Sequence, residues 1–473
     1  MTLTRRTSLG LLAGSAFAIG GAGAGCARGA KDADVLILGA GLAGLRAARD
    51  LSAAGLMVIV LEARARVGGR LMTLTDLPGR PEAGGTQVGQ TYSRLRAEAK
   101  ALGIQLHAPP PSTFGDVLSV EGILMRAADW PTAQVNPLKG ALRAIAPSRL
   151  FMAAAARANP FEDITDWSGP AGVAVDQSAE AFLRAQGFDE RALAFADRSL
   201  NANNLATYSM VNAFRSLTLY SLDRPLGPAE DITGGSERLT QAMAQSLGPA
   251  VILNEPVSAI IADARGVSVT SRSGRTWRAP HAISTIPYPA LRRIRVDAPL
   301  TATQASAIHM MAYTQIAHVY LYTEIPYWEV DGLAPDMWTD RDIERVFAVR
   351  DDQGSPTGIV RLWLDGDGAG VIDGKSNEAI ETWARSRFAA LRPASQGRVR
   401  LARVIRWTRD NVETGGAYMH YAPGQIASWA GKLAAPSARL HWAGEHTSNI
   451  ATGMEGALET GERAASEVLA AMQ

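Results

Sequence analysis

Residues 34–70 read DVLILGAGLAGLRAARDLSAAGLMVIVLEARARVGGR, and the stretch as far as Glu62 decides the fold. Asp34 to Leu38 is a short β-rich run. Gly39-Ala40-Gly41-Leu42-Ala43-Gly44 follows it. From Leu45 to Ala54 the chain is rich in Ala and Leu and reads as a helix closed by Gly55. Met57 to Leu61 is a second buried strand with Glu62 at its end. A lone G-x-G-x-x-G carries little weight, but here strand, glycines, helix, strand and acid fall in order as one βαβ unit. Gly39 allows the tight turn, Gly41 lets backbone approach a pyrophosphate, and Gly44 lets the helix pack on the strand. The helix N-terminus faces the phosphates with unpaired N–H groups, and Glu62 can accept hydrogen bonds from both ribose hydroxyls.

The unit alone does not separate FAD from NAD. Glu62 continues into Ala63-Arg64-Ala65-Arg66-Val67-Gly68-Gly69-Arg70. This resembles the E-A-x-x-R-x-G-G-R extension of the flavin amine oxidase family, which runs along the FAD diphosphate, where arginines and paired glycines suit close contact. Gly84-Gly85, Gly234 to Leu239, Ile283 to Pro287, Arg406-Trp407, Ala443 to Thr447 and Gly453 to Gly461 resemble further segments of that family. The resemblance implies that Gly39, Gly41, Gly44, Glu62, Ala63, Arg64, Gly69, Arg70, Gly84, Gly85, Val257, Gly444, Glu445 and Met454 hold FAD. Val257 would contact the adenine through backbone, Glu445 would lie by the phosphates, and Trp407 would pack beside the isoalloxazine. The last helix would point its N-terminus at flavin O2, stabilising negative charge there. The resemblance is weak from Thr91 to Ala229 and from Thr301 to Ser395.

Four positions narrow the chemistry. Ala417 stands where monoamine oxidases of the mammalian type carry a flavin-linking cysteine, so the FAD should be non-covalent, although a histidyl link elsewhere stays open. Tyr418 matches one of two rings that flank the amine in those oxidases, and the other place is Gly453. The missing ring leaves space for a bulkier or secondary amine; alternatively Tyr418 only packs beside the flavin. L-amino-acid oxidases place a carboxylate-clamping arginine shortly after the Gly84-Gly85 equivalent, where this chain offers Gln87, which favours an amine without a carboxylate. His318 occupies the place of a family lysine near flavin N5, or is simply a core histidine. Asn201, Asn203, Asn204 and Tyr208 fall where relatives line a substrate cavity, or serve as caps and surface residues.

Lys+Arg 47 against Asp+Glu 46 leaves no like-charge block suited to nucleic acid. No His pair with a nearby acid suggests a metal site. Cys26 is the sole cysteine, which excludes an internal disulfide. Arg5-Arg6, the mildly apolar run from Leu11 to Ile19 and Ala22-Gly23-Ala24 form a three-part export signal of the twin-arginine type. Location in the periplasm or secretion is therefore expected. A lipid anchor at Cys26 is an alternative to its removal with the signal.

The expected fold is α/β. A Rossmann-like FAD-binding domain is built from three discontinuous segments (31–86, 230–300 and 396–473), after a signal at 1–30. An interleaved α+β substrate domain takes 87–229 and 301–395, with helices over 178–186 and 191–200. The expected activity is hydride transfer from the α-carbon of an amine to flavin N5. Tyr418, His318, Gly453 and Trp407 would stand at the reacting end. Oxygen or a periplasmic carrier such as a cytochrome would accept the electrons. L-amino-acid oxidation, carbon–carbon desaturation of the protoporphyrinogen oxidase or carotenoid desaturase type, and a non-catalytic flavin-binding assembly factor are the competing readings.

Overall fold

The structure, a computed structural model, describes residues 31–473. The export signal and Cys26 lie outside the described residues. Val35–Leu38 is buried along its whole length and pairs in parallel with Val58–Leu61 on one side and His281–Ser284 on the other. Val251–Ile252 and Leu440–Trp442 extend this to a five-stranded parallel sheet. Near-continuous apolar runs suit such strands, because helices or other layers cover both faces.

The first helix is Leu42–Ala53, so it begins inside the glycine turn, three residues before the expected Leu45. Gly44 explains how: a Cβ there would lie 2.0 Å from the Gly39 carbonyl oxygen. The last helix, Gly453–Ala471, crosses the first at similarly close range, since a Cβ on Gly461 would lie 2.3 Å from the Ala43 carbonyl oxygen. The helix Ser93–Ala101 joins this layer. Its Leu95 and Ala99 share a core with Leu45, Ala48, Leu458 and Ala465. The Glu455 carboxylate of the last helix accepts bonds from Arg94 N and Leu95 N, both at 3.0 Å, which caps the N-terminus of Ser93–Ala101.

The second large sheet has seven strands, in the order Val399–Arg406, Ile316–Thr323, Pro356–Asp365, Arg345–Arg350, Met337–Thr339, Val117–Val120 and Ile123–Arg126. Helices Ala179–Ala185, Glu190–Asp197 and Met210–Asp223 pack with Trp130, Phe151 and Trp167 in a core that continues to Leu36, Leu38 and Leu61 of the parallel sheet. Ser178 and Asp189 cap the first two. The second stops short of the expected residue 200 because the Asp197 carboxylate accepts from Leu205 N and holds a turn.

The helix Ser93–Ala101 packs on the parallel sheet's helices. Val399–Arg406 pairs along its length with Ile316–Thr323. In both places the packing or pairing partner, which is remote in sequence, decides the layer.

Candidate active site

One cavity of about 300 Å³ runs from the glycine turn to the seven-stranded sheet. At the first end Gly41 and Gly69 face each other. The nearest atom to a Cβ on Gly41 is the Gly69 Cα at 3.9 Å, so two side chains would fill a cradle that backbone leaves open. Glu62 stands at the strand end with Oε2 accepting from Ala40 N (2.8 Å) and Oε1 accepting from Arg64 N (3.0 Å). That carboxylate braces the turn and also lines the cavity. Arg64 donates to the Gly69 carbonyl and to Asn411. Ala63 and Val257 complete this wall, joined by Glu255, Arg272 and Arg293, which the sequence reading did not single out. These parts fit a dinucleotide: an acidic acceptor for ribose, open glycines for a diphosphate, and arginines at the margin.

In the middle, Arg70 meets Glu445 at 2.7 Å and donates to the Ala417 carbonyl at 3.1 Å. Glu445 also accepts from Met419 N. Gly444 adopts φ +112° beside it. Gly84, Gly85 and Met454 lie on the same wall. Of the fourteen residues expected to hold FAD, Gly44 alone is not on the cavity wall. Its place is the helix–strand contact, as its role requires.

The far end gathers Ile316, His318, Trp363, Trp407, Tyr418 and Gly453. The Trp407 indole is fully buried and donates to the Ala83 carbonyl at 2.6 Å, which fixes its plane. The Tyr418 hydroxyl donates to the Asn201 carbonyl at 3.0 Å. Burial raises its pKa well above the usual phenol value, so it stays protonated. His318 sits on the second strand from the edge of the sheet, flanked by Trp363 and Ile405 on the neighbouring strands, with its ring 4.4 Å from the Trp363 ring. Its Nδ1 lies 3.4 Å from the Tyr320 hydroxyl, which itself donates to the Glu82 carbonyl. Its buried Nε2 has no partner among the described residues. Burial, reinforced by Arg361 and Arg345, pushes the His318 pKa well below the ordinary imidazole value, so the ring is neutral.

Several expected cavity residues are spent elsewhere. Asn203 bridges the Tyr313 carbonyl and Gln315 N, and Asn204 caps Thr207. The Asn201 side chain serves Arg345, and Tyr208 packs on Phe151 and His420. Gln87 is exposed and does not line the cavity. Trp363 was missed. It sits in a strand of the weakly resembling region, and no local pattern marks it.

The family described as "Flavin containing amine oxidoreductase" matches residues 42–469. The chain is 29% identical to the putative flavin-containing monoamine oxidase AofH of Mycobacterium tuberculosis over 461 residues, covering 92% of this chain and 96% of that protein. It is 26% identical to an L-amino-acid oxidase of Naja atra, covering 93% and 88% of the two chains. The fold superimposes on cyclohexylamine oxidase from Brevibacterium oxydans IH-35A with a TM-score of 0.74 at 22% identity, covering 93% of this chain and 99% of the other. With its cradle open at Gly41 and Gly69 and an aromatic chamber beyond, the chain belongs to the flavin-containing amine oxidoreductases: it is an enzyme that oxidises amines with FAD.

Proposed function

We propose that this chain oxidises a small, largely apolar monoamine at the carbon next to nitrogen, using FAD held without a covalent bond. One observation carries the reading: the wall made by Ile316, His318, Trp363, Trp407, Tyr418 and Gly453 contains no carboxylate and no cation. An alkylammonium entering it loses hydration without gaining a counter-charge, so the neutral amine is favoured. That is the form whose lone pair can assist cleavage of the neighbouring C–H bond. A second ammonium on a diamine would find no carboxylate among these six residues, and an α-carboxylate would find no arginine among them. Arg345, beneath Trp363, is tied to Asp365 at 2.8 Å.

When bound, FAD would supply the two-electron acceptor for hydride from the carbon next to nitrogen, leaving an imine that water would hydrolyse to an aldehyde or ketone with release of ammonia or an amine. The chain's own part is positioning. Tyr418, held at its hydroxyl by Asn201, presents a ring face to the amine. Trp407, anchored on Ala83, fixes the depth of the chamber. Ala417 gives no thiol for a flavin bond. Reduction of the enzyme's flavin by a panel of amines without oxygen tests the assignment through loss of visible absorbance. Reduction by L-amino acids alone would overturn it.

The electrons pass to oxygen, giving hydrogen peroxide, or to a periplasmic carrier such as a cytochrome. His318 supports the carrier, because a neutral ring offers no fixed positive charge to help oxygen accept an electron. Stopped-flow mixing of reduced enzyme with oxygen decides this: rapid, pH-independent reoxidation that is unchanged in His318→Ala would refute it. Export by the twin-arginine route to the periplasm belongs to the same proposal, with a lipid anchor at Cys26 as its variant. Replacing Arg5 and Arg6 by Lys should retain the enzyme in the cytoplasm, and unchanged export would refute the route.

A further inference from the structure

Trp363 and Tyr418 both line the chamber, and each ring carries a polar handle. Both handles lead to one guanidinium. The Trp363 indole donates to Asp365 Oδ1 at 2.6 Å, and Asp365 Oδ2 accepts from Arg345 Nη2 at 2.8 Å. The Tyr418 hydroxyl donates to the Asn201 carbonyl at 3.0 Å, and the Asn201 side-chain oxygen accepts from Arg345 Nη1. Arg345 Nη2 also donates to the Leu200 carbonyl at 2.9 Å, so the Leu200-Asn201 segment is gripped at two points.

Strand register puts this fork beneath the chamber. Arg345 stands opposite Trp363, and Trp363 stands opposite His318, on three adjacent strands of the seven-stranded sheet. The three side chains therefore share one face. The side chains of Arg345 and Asp365 are only 7% and 3% exposed. A buried ion pair adds little net stability over apolar residues of similar volume. What this one adds is direction, because a guanidinium is a planar fork whose donors stand at fixed angles. One arm reaches the Trp363 wall through Asp365, and the other reaches the Tyr418 wall through Asn201.

Resting on the amine-oxidation reading, we infer that Arg345 is a positioning residue of the reaction: it sets the angle between the Trp363 and Tyr418 rings and so the pose of the amine in the chamber. It acts through the two polar handles. Without the fork both rings turn more freely, and a smaller fraction of the bound amine lies in the reactive pose. The limiting rate of flavin reduction then falls more than amine binding weakens.

The test is stopped-flow reduction of the enzyme's flavin without oxygen, by benzylamine or by the fastest amine of the panel above. It separates the limiting rate from the half-saturating amine concentration, with FAD content measured in each protein. Arg345→Lys keeps a charge beside Asp365 but cannot hold Asp365, Leu200 and Asn201 together. It should lower the limiting rate about five-fold, as one neutral hydrogen bond implies, and move the half-saturating concentration by less than about two-fold. In the Trp363→Phe, Tyr418→Phe background, where both handles are gone, Arg345→Lys should slow reduction no further. Asn201→Ala, at an exposed position, cuts one arm alone, and its slowing should vanish in Tyr418→Phe. That pair decides the matter if Arg345→Lys does not fold. Equal slowing with and without the handles, or none in either single variant, overturns the positioning role and leaves amine oxidation intact. If no amine reduces the wild-type flavin, the amine reading falls and the positioning role falls with it.

Discussion

Glu82 sits one residue before the cavity wall, and its charge should make stability depend on pH. Its Oε1 accepts from Ser236 N at 2.6 Å and its Oε2 from Ser236 Oγ at 2.7 Å, with Thr73 Oγ1 donating at 3.1 Å. Burial outweighs these bonds and raises the carboxyl pKa from 4.5 to about 7. At about 1.4 kcal/mol per pH unit, this corresponds to a contribution of about 3 kcal/mol. The folded pKa lies above the unfolded one, so between those values the folded state binds more protons. The contribution is fully present below pH 4.5, is lost as pH rises to 7, and changes no further above that. Glu82→Gln should remove it. Both neighbouring hydroxyls can turn to accept from the amide, so the substitution fits its surroundings. Relative to wild type, the variant should gain about 3 kcal/mol between pH 4.5 and 8, or about 3 °C in melting temperature for a chain of this size. Thermal melting of both FAD-loaded proteins across that range measures the difference. Glu344, also raised to about 7, is common to both and cancels. A melting difference that stays flat with pH would refute the reasoning.

Glu62→Ala removes the acceptor of Ala40 N and Arg64 N as well as the expected ribose partner. It should weaken FAD binding by about ten-fold or more in a reconstitution titration, in line with losing at least one charge-assisted hydrogen bond. Acid precipitation should release the yellow cofactor into the supernatant, and colour left in the pellet would mean a covalent link. Tyr418→Ala should slow flavin reduction more than it lowers FAD content, because its ring faces the chamber; equal losses would reduce Tyr418 to a packing residue.

The parts of the fold legible in the sequence are those whose constraint is local. Gly44 has to be glycine because of an atom five residues away, and Glu62 follows its own strand. The reacting end was legible only in part. Tyr418, Trp407 and Gly453 lie on segments with a family pattern, but Trp363 reaches the chamber through antiparallel pairing with His318. That register is set by a loop and two strands that carry no signature. For Asn201, Asn203 and Asn204 the sequence left two readings open for a related reason: an asparagine bonds backbone as readily as ligand, and these three are used up in turns and in contacts with Tyr313, Gln315 and Arg345. The export signal lies outside the described residues, and the fold has no bearing on it.

The close crossing of the first helix by the last has a consequence during synthesis. Leu45, Ala48 and Leu51 of the first helix leave the ribosome early, yet their partners Leu458, Ala465 and Val468 are made about four hundred residues later. At roughly 5–20 residues per second, that is an interval of about 20–80 s. For that time the nascent chain carries a glycine turn with one apolar flank bare, a surface prone to aggregation. Premature termination anywhere before the last helix should therefore give an aggregating fragment and no weak-binding apoenzyme. Moving the chain termini to a surface loop, so that the two helices are translated in succession, should shorten the exposure and raise the soluble yield.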